Sequence, residues 1–197
     1  NQRESLDCRV RELYSIPASH KIVMYAPTFR RGNDLTPYSI DWSKVIPELE
    51  KVFDGAPVSV LVRLHPNLIG KADTSGLVAY ENVMDATMYH DMQELLCVSD
   101  MLITDYSSAM FDFAMLGRPC LLYATDIEKY DRGYYYTFDQ MPYPVARNQA
   151  ELIDTIRNFD LQEHLTKVDD FMSNTVGMFE DGNASKRIAG WMSEHSI

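Results

Sequence analysis

Four short apolar runs separated by helical stretches constrain this chain more than any other feature of it. "KIVMYA" (21–26), "VSVLVRL" (58–64), "MLIT" (101–104) and "CLLY" (120–123) are continuous rather than alternating. A strand with one face in water alternates apolar and polar side chains. A continuous run belongs to a strand buried on both faces, as in a parallel sheet covered by helices on each side. The stretches between them carry the helical period. "IDWSKVIPELEKVF" (40–53) places Ile46, Leu49, Val52 and Phe53 at helical spacing, "DMQELLCVS" (91–99) is a second helix, and residues 107–116 form a third, ended by Gly117. Pro47 is expected in the first turn of its helix, where its missing N–H is tolerated. "LVAYE" (77–81) predicts another short strand, and residues 4–14 predict a leading helix with Leu6, Val10, Leu13 and Tyr14 on one face. From about residue 149 the chain turns helical, in "QAELIDTIRNF", "LQEHLTKVDDFMSNTV" and "NASKRIAGWMSEH", the last with Asn183 as N-cap. These helices, within 149–197, are expected to pack on the sheet, so that residues 1–197 form a single α/β domain.

With 197 residues, 46% of them hydrophobic, the chain can bury one substantial core. No run approaches the roughly 18 apolar residues that span a bilayer, so a soluble piece is expected. The opening "NQRESLDCRVRELYSIP" has no initiator Met and no apolar signal core, and reads as cut from a longer protein. Cys8, Cys97 and Cys120 lie far apart, with neither metal-ligand nor redox-motif spacing. They are expected to be small core residues in a reducing compartment. A formal charge of −11 argues against nucleic acid as a partner, which needs a basic face. It leaves room for one local basic pocket.

Open parallel sheets bind ligands beyond the carboxyl ends of their strands. There the sequence gathers "PTFRR" after the first run, with Thr28, Arg30 and Arg31, and "RLHP" at the end of the second. Arg63 and His65 share a face if the strand persists, because side chains alternate. After 101–104 comes "DYSS", a helix start with two hydroxyls, and after 120–123 comes "ATDIEKYDRGYYY". Basic groups and a serine-lined helix start on one edge of an acidic protein suit a phosphate-bearing ligand. Each feature also has a plainer reading. Arg30 and Arg31 fit a solvated loop pair, His65 a strand-end cap, the serines helix caps, and Asp112 a favourable charge near a helix N-terminus. Asp126, Glu128 and Asp131 fit solvation better than metal binding, and Tyr134, Tyr135 and Tyr136 fit packing. The Gly-rich loops of dinucleotide and P-loop sites are missing, and no cofactor or metal is expected.

Taken together, "YAPTFR" (25–30), "RLHP" (63–66), "DMQELL" (91–96), "SDMLITDYSSAMFDFAMLGRPCLLY" (99–123), "DIEKYDRGYY" (126–135) and "EDGNASKRI" (180–188) resemble the CDP-glycerol glycerophosphotransferase family, the teichoic acid polymerases and primases. The resemblance implies a two-domain GT-B fold, of which this chain is similar to the C-terminal, Rossmann-like, nucleotide-binding half. It implies that Arg30, Arg63 and His65 face the CDP phosphates, that Ser107 and Ser108 meet the pyrophosphate, and that Asp112 contacts the ligand. Pro27, Thr28 and Leu64 fall in the same lining, and His65 and Arg30 are the residues it assigns to catalysis. It further implies a CDP-glycerol or related CDP-polyol donor and a lipid-linked polyol-phosphate acceptor held by the absent N-terminal half. The full-length protein is then expected on the cytoplasmic face of the plasma membrane. Two departures from the family pattern are "MPYPVAR" (141–147), in place of a Pro-Gly-Pro-like segment, and "RRGND" (30–34) after the first motif. Two other classes share parts of this pattern: the nucleotide-binding half of a UDP-sugar GT-B glycosyltransferase or epimerase, and a non-catalytic Rossmann-like interaction domain.

Overall fold

The structure, a computed structural model, describes residues 2–30, 35–68, 74–129, 133, 135–178 and 180–195. Its centre is a six-stranded sheet in which all neighbours run parallel. The strands are β1 (Lys21–Tyr25), β2 (Val58–Val62), β3 (Val83–Asp85), β4 (Met101–Thr104), β5 (Cys120–Tyr123) and β6 (Val145–Ala146), in the order β3-β2-β1-β4-β5-β6. The helices are α1 (Gln2–Tyr14), α2 (Trp42–Val52), α3 (Met92–Val98), α4 (Ala109–Ala114), α5 (Gln149–Arg157), α6 (Leu161–Asp170) and α7 (Ala184–His195).

Alternation within the strands explains the continuous apolar runs. Val23 and Tyr25 of β1 face a layer with Trp42, Val45, Ile46 and Leu49 of α2 and Leu152 and Ile156 of α5. Ile22 and Met24 face the opposite layer, with Val10 of α1, Leu95 and Leu96 of α3, Met110 and Phe113 of α4, and Val168 of α6. Both faces are covered, so no strand position from 22 to 24 can be polar without burying a group that needs a partner.

Several expectations need correction. The third strand is Val83–Asp85, paired with Val60–Val62, whereas residues 75–77 form a 3-10 turn and Tyr80 is exposed. Three residues with one buried side chain carry too little pattern to betray a strand. β6 is two residues long, falls in the divergent 141–147 segment, and has no strand pattern of its own in the sequence. Helix α2 starts at Trp42, which puts Pro47 in its second turn. There its ring costs the bond that Ser43 O would otherwise accept. The compensation is burial: Trp42 is in the core and its Nε1 donates to Leu77 O at 3.2 Å. Only Cys120 is a core cysteine; Cys97 is half-buried and Cys8 exposed. The helices after residue 149 do not all pack alike. α6 continues as a π-helical stretch, Phe171–Val176, that buries Phe171 and Met172 and stops at Gly177, whose φ of 67° is a left-handed cap. No described residue of α7 is buried, and Ile188, Trp191 and Met192 stand exposed on it. Among the described residues no helix is long and apolar enough to cross a membrane.

His164 of α6 reaches β5 and gives the fold a pH dependence. Its Nε2 accepts the Cys120 N–H at 3.2 Å, so the ring is neutral. Burial, with a smaller effect from Lys167, holds its pKa at about 4 against an ordinary 6.5. The neutral ring is the folded form. Its contribution is complete above pH 6.5 and is lost as pH falls toward 4. His164 also lines a cavity of about 730 Å³, which eases charging of the ring, and about 2 kcal/mol is expected. Urea unfolding of the parent and of His164→Gln, which keeps an acceptor but does not titrate, checks this: the parent should lose more stability than the variant between those pH values.

Candidate functional site

The strand order reverses between β1 and β4. From β1 the chain builds outward through β2 and β3, then returns to the other side of β1. A crevice opens at such a switch point, beyond the carboxyl ends of the two central strands, because their following loops diverge. The loop after β1 is "PTFR" and the loop after β4 is "DYSS", so the two motifs singled out in the sequence flank the crevice. A cleft of about 540 Å³ lies there, lined by Pro27, Thr28, Arg63, Leu64, His65, Ser107 and Ser108, together with Phe29, Asn67, Met92 and Tyr106.

Arg63 follows the last residue of β2, and its N–H donates to Tyr25 O at 2.8 Å, extending the ladder by one step. One Nη donates to Thr87 O at 2.7 Å. Its Nε is buried with no hydrogen-bond partner, and no carboxylate pairs with it among the described residues. Burial lowers its pKa, Tyr14 and Asp91 acting in the other direction. A guanidinium nevertheless stays protonated in proteins, so the cleft holds a cation that no carboxylate among the described residues pairs with directly. His65 is exposed at the rim, its ring 5.3 Å from that of Phe29. Its Nδ1 accepts the Asn67 N–H at 3.1 Å, which places the proton of the neutral ring on Nε2 as a donor.

The serines divide the two roles considered for them. Ser107 Oγ accepts the Ala109 N–H at 3.3 Å, a long capping bond. Ser108 occupies the N-cap position, is exposed, and makes no side-chain cap bond. Helix α4 has six residues, and the N–H groups of its first turn are already bonded, Met110 to Ser107 O at 3.3 Å and Phe111 to Ser108 O at 2.9 Å, so the serine hydroxyls matter more here than the helix start itself. Asp112, in the first turn of α4, does not line the cleft; it accepts from Gln93 Nε2 at 3.3 Å.

Arg30 is not among the lining residues either. Its Nε and one Nη donate to the Asp126 carboxylate at 2.9 and 2.8 Å, and the other Nη donates to Asp105 at 2.5 Å. The guanidinium lies between the rings of Tyr38 and Tyr106, at 5.4 and 4.9 Å from their centroids. Burial alone would lower its pKa, but the two carboxylates more than offset this and raise it. The same contacts hold the Asp126 carboxyl below its usual range, the hydrogen bonds from Arg30 being the main cause. Asp126 is thus a partner of Arg30 rather than part of a metal cluster or a solvated surface. Among the described residues no group of three His, Cys, Asp or Glu side chains is placed to hold a metal ion. Arg31, Asp131 and Tyr134 lie outside the described residues. Tyr136 packs on Phe111 and Phe171, whereas Tyr135 is exposed.

Sequence reasoning missed Asp105 as a site residue. It is 1% exposed and accepts from Thr28 N–H, Thr28 Oγ1 and Tyr106 N–H as well as from Arg30. A signal existed: a carboxylate directly after four buried apolar residues has no water and must be answered by several donors.

Comparison with known proteins supplies the wider setting. The model of the CDP-Glycerol:Poly(glycerophosphate) glycerophosphotransferase family matches residues 1–192. A teichoic acid poly(glycerol phosphate) polymerase of Staphylococcus epidermidis is 35% identical over 95% of this chain and 26% of its own length. A teichoic acid glycerol-phosphate transferase of Staphylococcus aureus is 35% identical over 88% of the chain and 45% of its length. The structure of the wall teichoic acid polymerase TagF superposes with a TM-score of 0.72 at 34% identity, covering 98% of this chain and 47% of that one. A variant of it soaked with CDPG gives the same TM-score of 0.72 at 32% identity. A UDP-GlcNAc 2-epimerase of Neisseria meningitidis, at 16% identity and a TM-score of 0.56, shares the fold alone. The chain spans about half the TagF chain and half or less of these curated relatives. The Rossmann-like sheet, the motifs around its switch point and a family match from residue 1 to residue 192 converge, and this chain belongs to the CDP-glycerol:poly(glycerophosphate) glycerophosphotransferase family.

Proposed function

We propose that this chain is the donor-binding part of an enzyme that transfers glycerol phosphate, or a related polyol phosphate, from a CDP-linked donor to a lipid-linked acceptor of the teichoic acid type. The observation that carries the reading is Arg63: a charged group in the switch-point cleft that has, among the described residues, no carboxylate partner and a buried Nε without a hydrogen bond. A pyrophosphate in the cleft supplies a counter-charge to the guanidinium. The Nε2–H of His65 and the hydroxyls of Ser107 and Ser108 surround the same space.

In the reaction an acceptor oxygen attacks the phosphorus that carries the polyol, the bond to the CMP phosphate oxygen breaks, and CMP leaves. Negative charge grows on the leaving phosphate and on the equatorial oxygens. The chain's part is to hold the pyrophosphate in line and to neutralise that charge, through Arg63 and the His65 Nε2–H above all. Asp112 and Arg30 do not line the cleft in this structure. Asp112 is assigned an approach to the donor only once the donor is bound. The acceptor and the group that takes its proton belong to the other half of the GT-B fold, as does contact with the cytoplasmic face of the membrane. The chain alone is therefore expected to bind donor without turning it over.

Calorimetric titration with CDP tests the reading. Binding should persist in EDTA, because the cleft brings its own positive charge, and CDP should outcompete UDP. A chain that binds neither nucleotide, or prefers UDP, contradicts it, and loss of CDP binding in EDTA would show that a metal ion does the work assigned to Arg63.

A further inference from the structure

We propose that Arg30, held between Asp105 and Asp126, is a positioning residue that ties together the loops after β1, β4 and β5 and does not itself touch the donor. The inference rests on the reading of the cleft as a donor site. The tie is over-determined. Asp126 takes the guanidinium through two parallel hydrogen bonds, and Tyr106 Oη donates to the same carboxylate at 2.9 Å. Asp105 takes a third guanidinium bond and, with it, the Thr28 N–H at 2.8 Å, the Thr28 hydroxyl at 2.6 Å and the Tyr106 N–H at 2.6 Å. The Arg30 N–H donates to Tyr38 Oη at 2.8 Å. Thr28 and Tyr106, which both line the cleft, are therefore fixed by carboxylates that they share with Arg30.

The alternative is that the carboxylates hold Arg30 in reserve until a phosphate displaces them. Releasing the guanidinium would break its bonds to Asp105 and Asp126 and leave Asp105, 1% exposed, as a buried charge without its cation. Breaking one partner out of a buried pair is strongly unfavourable. A phosphate already offered Arg63 has little to gain from it. Arg30 stays where it is, and its effect on the donor passes through Thr28, Tyr106 and the adjoining Ser107 and Ser108.

The two readings give opposite signs for Asp126→Asn, which removes the charge and keeps the shape. A reserve counter-ion, once removed, would free Arg30 and tighten CDP binding. As a positioning tie, its loss should weaken CDP binding at least about tenfold, the order seen when outer-shell partners are removed. Cytidine, which has no phosphate, should bind as to the parent. Amide exchange at Thr28 and Tyr106 should quicken without any ligand. Tyr106→Phe keeps the ring against Arg30 and removes only the hydroxyl bond to Asp126, so a smaller loss of the same sign is expected and covers the case in which Asp126→Asn fails to fold. CDP affinity unchanged or tighter, or a loss shared equally by cytidine, overturns the proposal. A parent chain that binds no CDP would sink the donor-site reading; the exchange rates then decide alone, with quickened exchange upholding the tie and unchanged exchange refuting it.

Discussion

Replacing Ser108 by Asp is expected to abolish CDP binding while leaving the melting temperature close to that of the parent. Ser108 lines the cleft, sits at the N-cap of α4, and makes no cap bond that the substitution would remove. Asp is at least as good an N-cap as Ser, and a negative charge at a helix start is favourable. The fold therefore has no reason to object. The ligand does: a carboxylate beside a pyrophosphate sets like charges a few ångströms apart in a partly desolvated cleft, which costs about 4 kcal/mol per pair of unit charges at an effective dielectric constant of about 20. Calorimetry and thermal melting on the same sample check both halves. If the variant binds CDP like the parent, the serines are caps alone and the phosphates lie elsewhere.

Arg63→Met should separate affinity from stability in the same way. Met retains the unbranched apolar stem and loses the charge. The fold gives up one hydrogen bond, to Thr87 O, but is relieved of a desolvated cation and of an Nε with nothing to bond. Replacing buried charges with apolar groups of similar volume is often neutral or stabilising. The urea midpoint is expected to hold or rise. CDP affinity should fall by about 1.5–3 kcal/mol, the range for a hydrogen bond to a charged group. A large loss of stability with unchanged affinity would make Arg63 a structural brace between the end of β2 and Thr87 in the loop after β3, and remove it from the site.

The legibility of the chain follows from where its information is local. β1, β2, β4 and β5 lie within the four apolar runs because burial on both faces writes a continuous signal into a few adjacent residues. β3 and β6 have three and two residues and owe their existence to a neighbouring strand rather than to their own pattern. Pro47 misled because the register of α2 is set by the burial of Trp42. The site divides likewise. Thr28, Arg63, His65 and Ser107–Ser108 follow strand ends, and a parallel sheet brings strand ends together whatever the order of its strands. Arg30 follows a strand end too, yet its charge is consumed by Asp105 and Asp126, 75 and 96 residues further along the chain. Whether an arginine beside a cleft is free for a ligand depends on such distant partners, and no local spacing records them.

Backbone amide shifts recorded by NMR during titration with CDP test the central claim most directly, because they report where the nucleotide sits. The account predicts the largest changes at Thr28, Arg63, Leu64, His65, Ser107 and Ser108, around the switch-point cleft. Two other cavities of comparable size lie away from it, one bordered by Tyr143, Asp154 and His164 and one by Arg3, Arg9 and Arg118. Changes centred on either of these, with the loops after β1 and β4 unmoved, would contradict it.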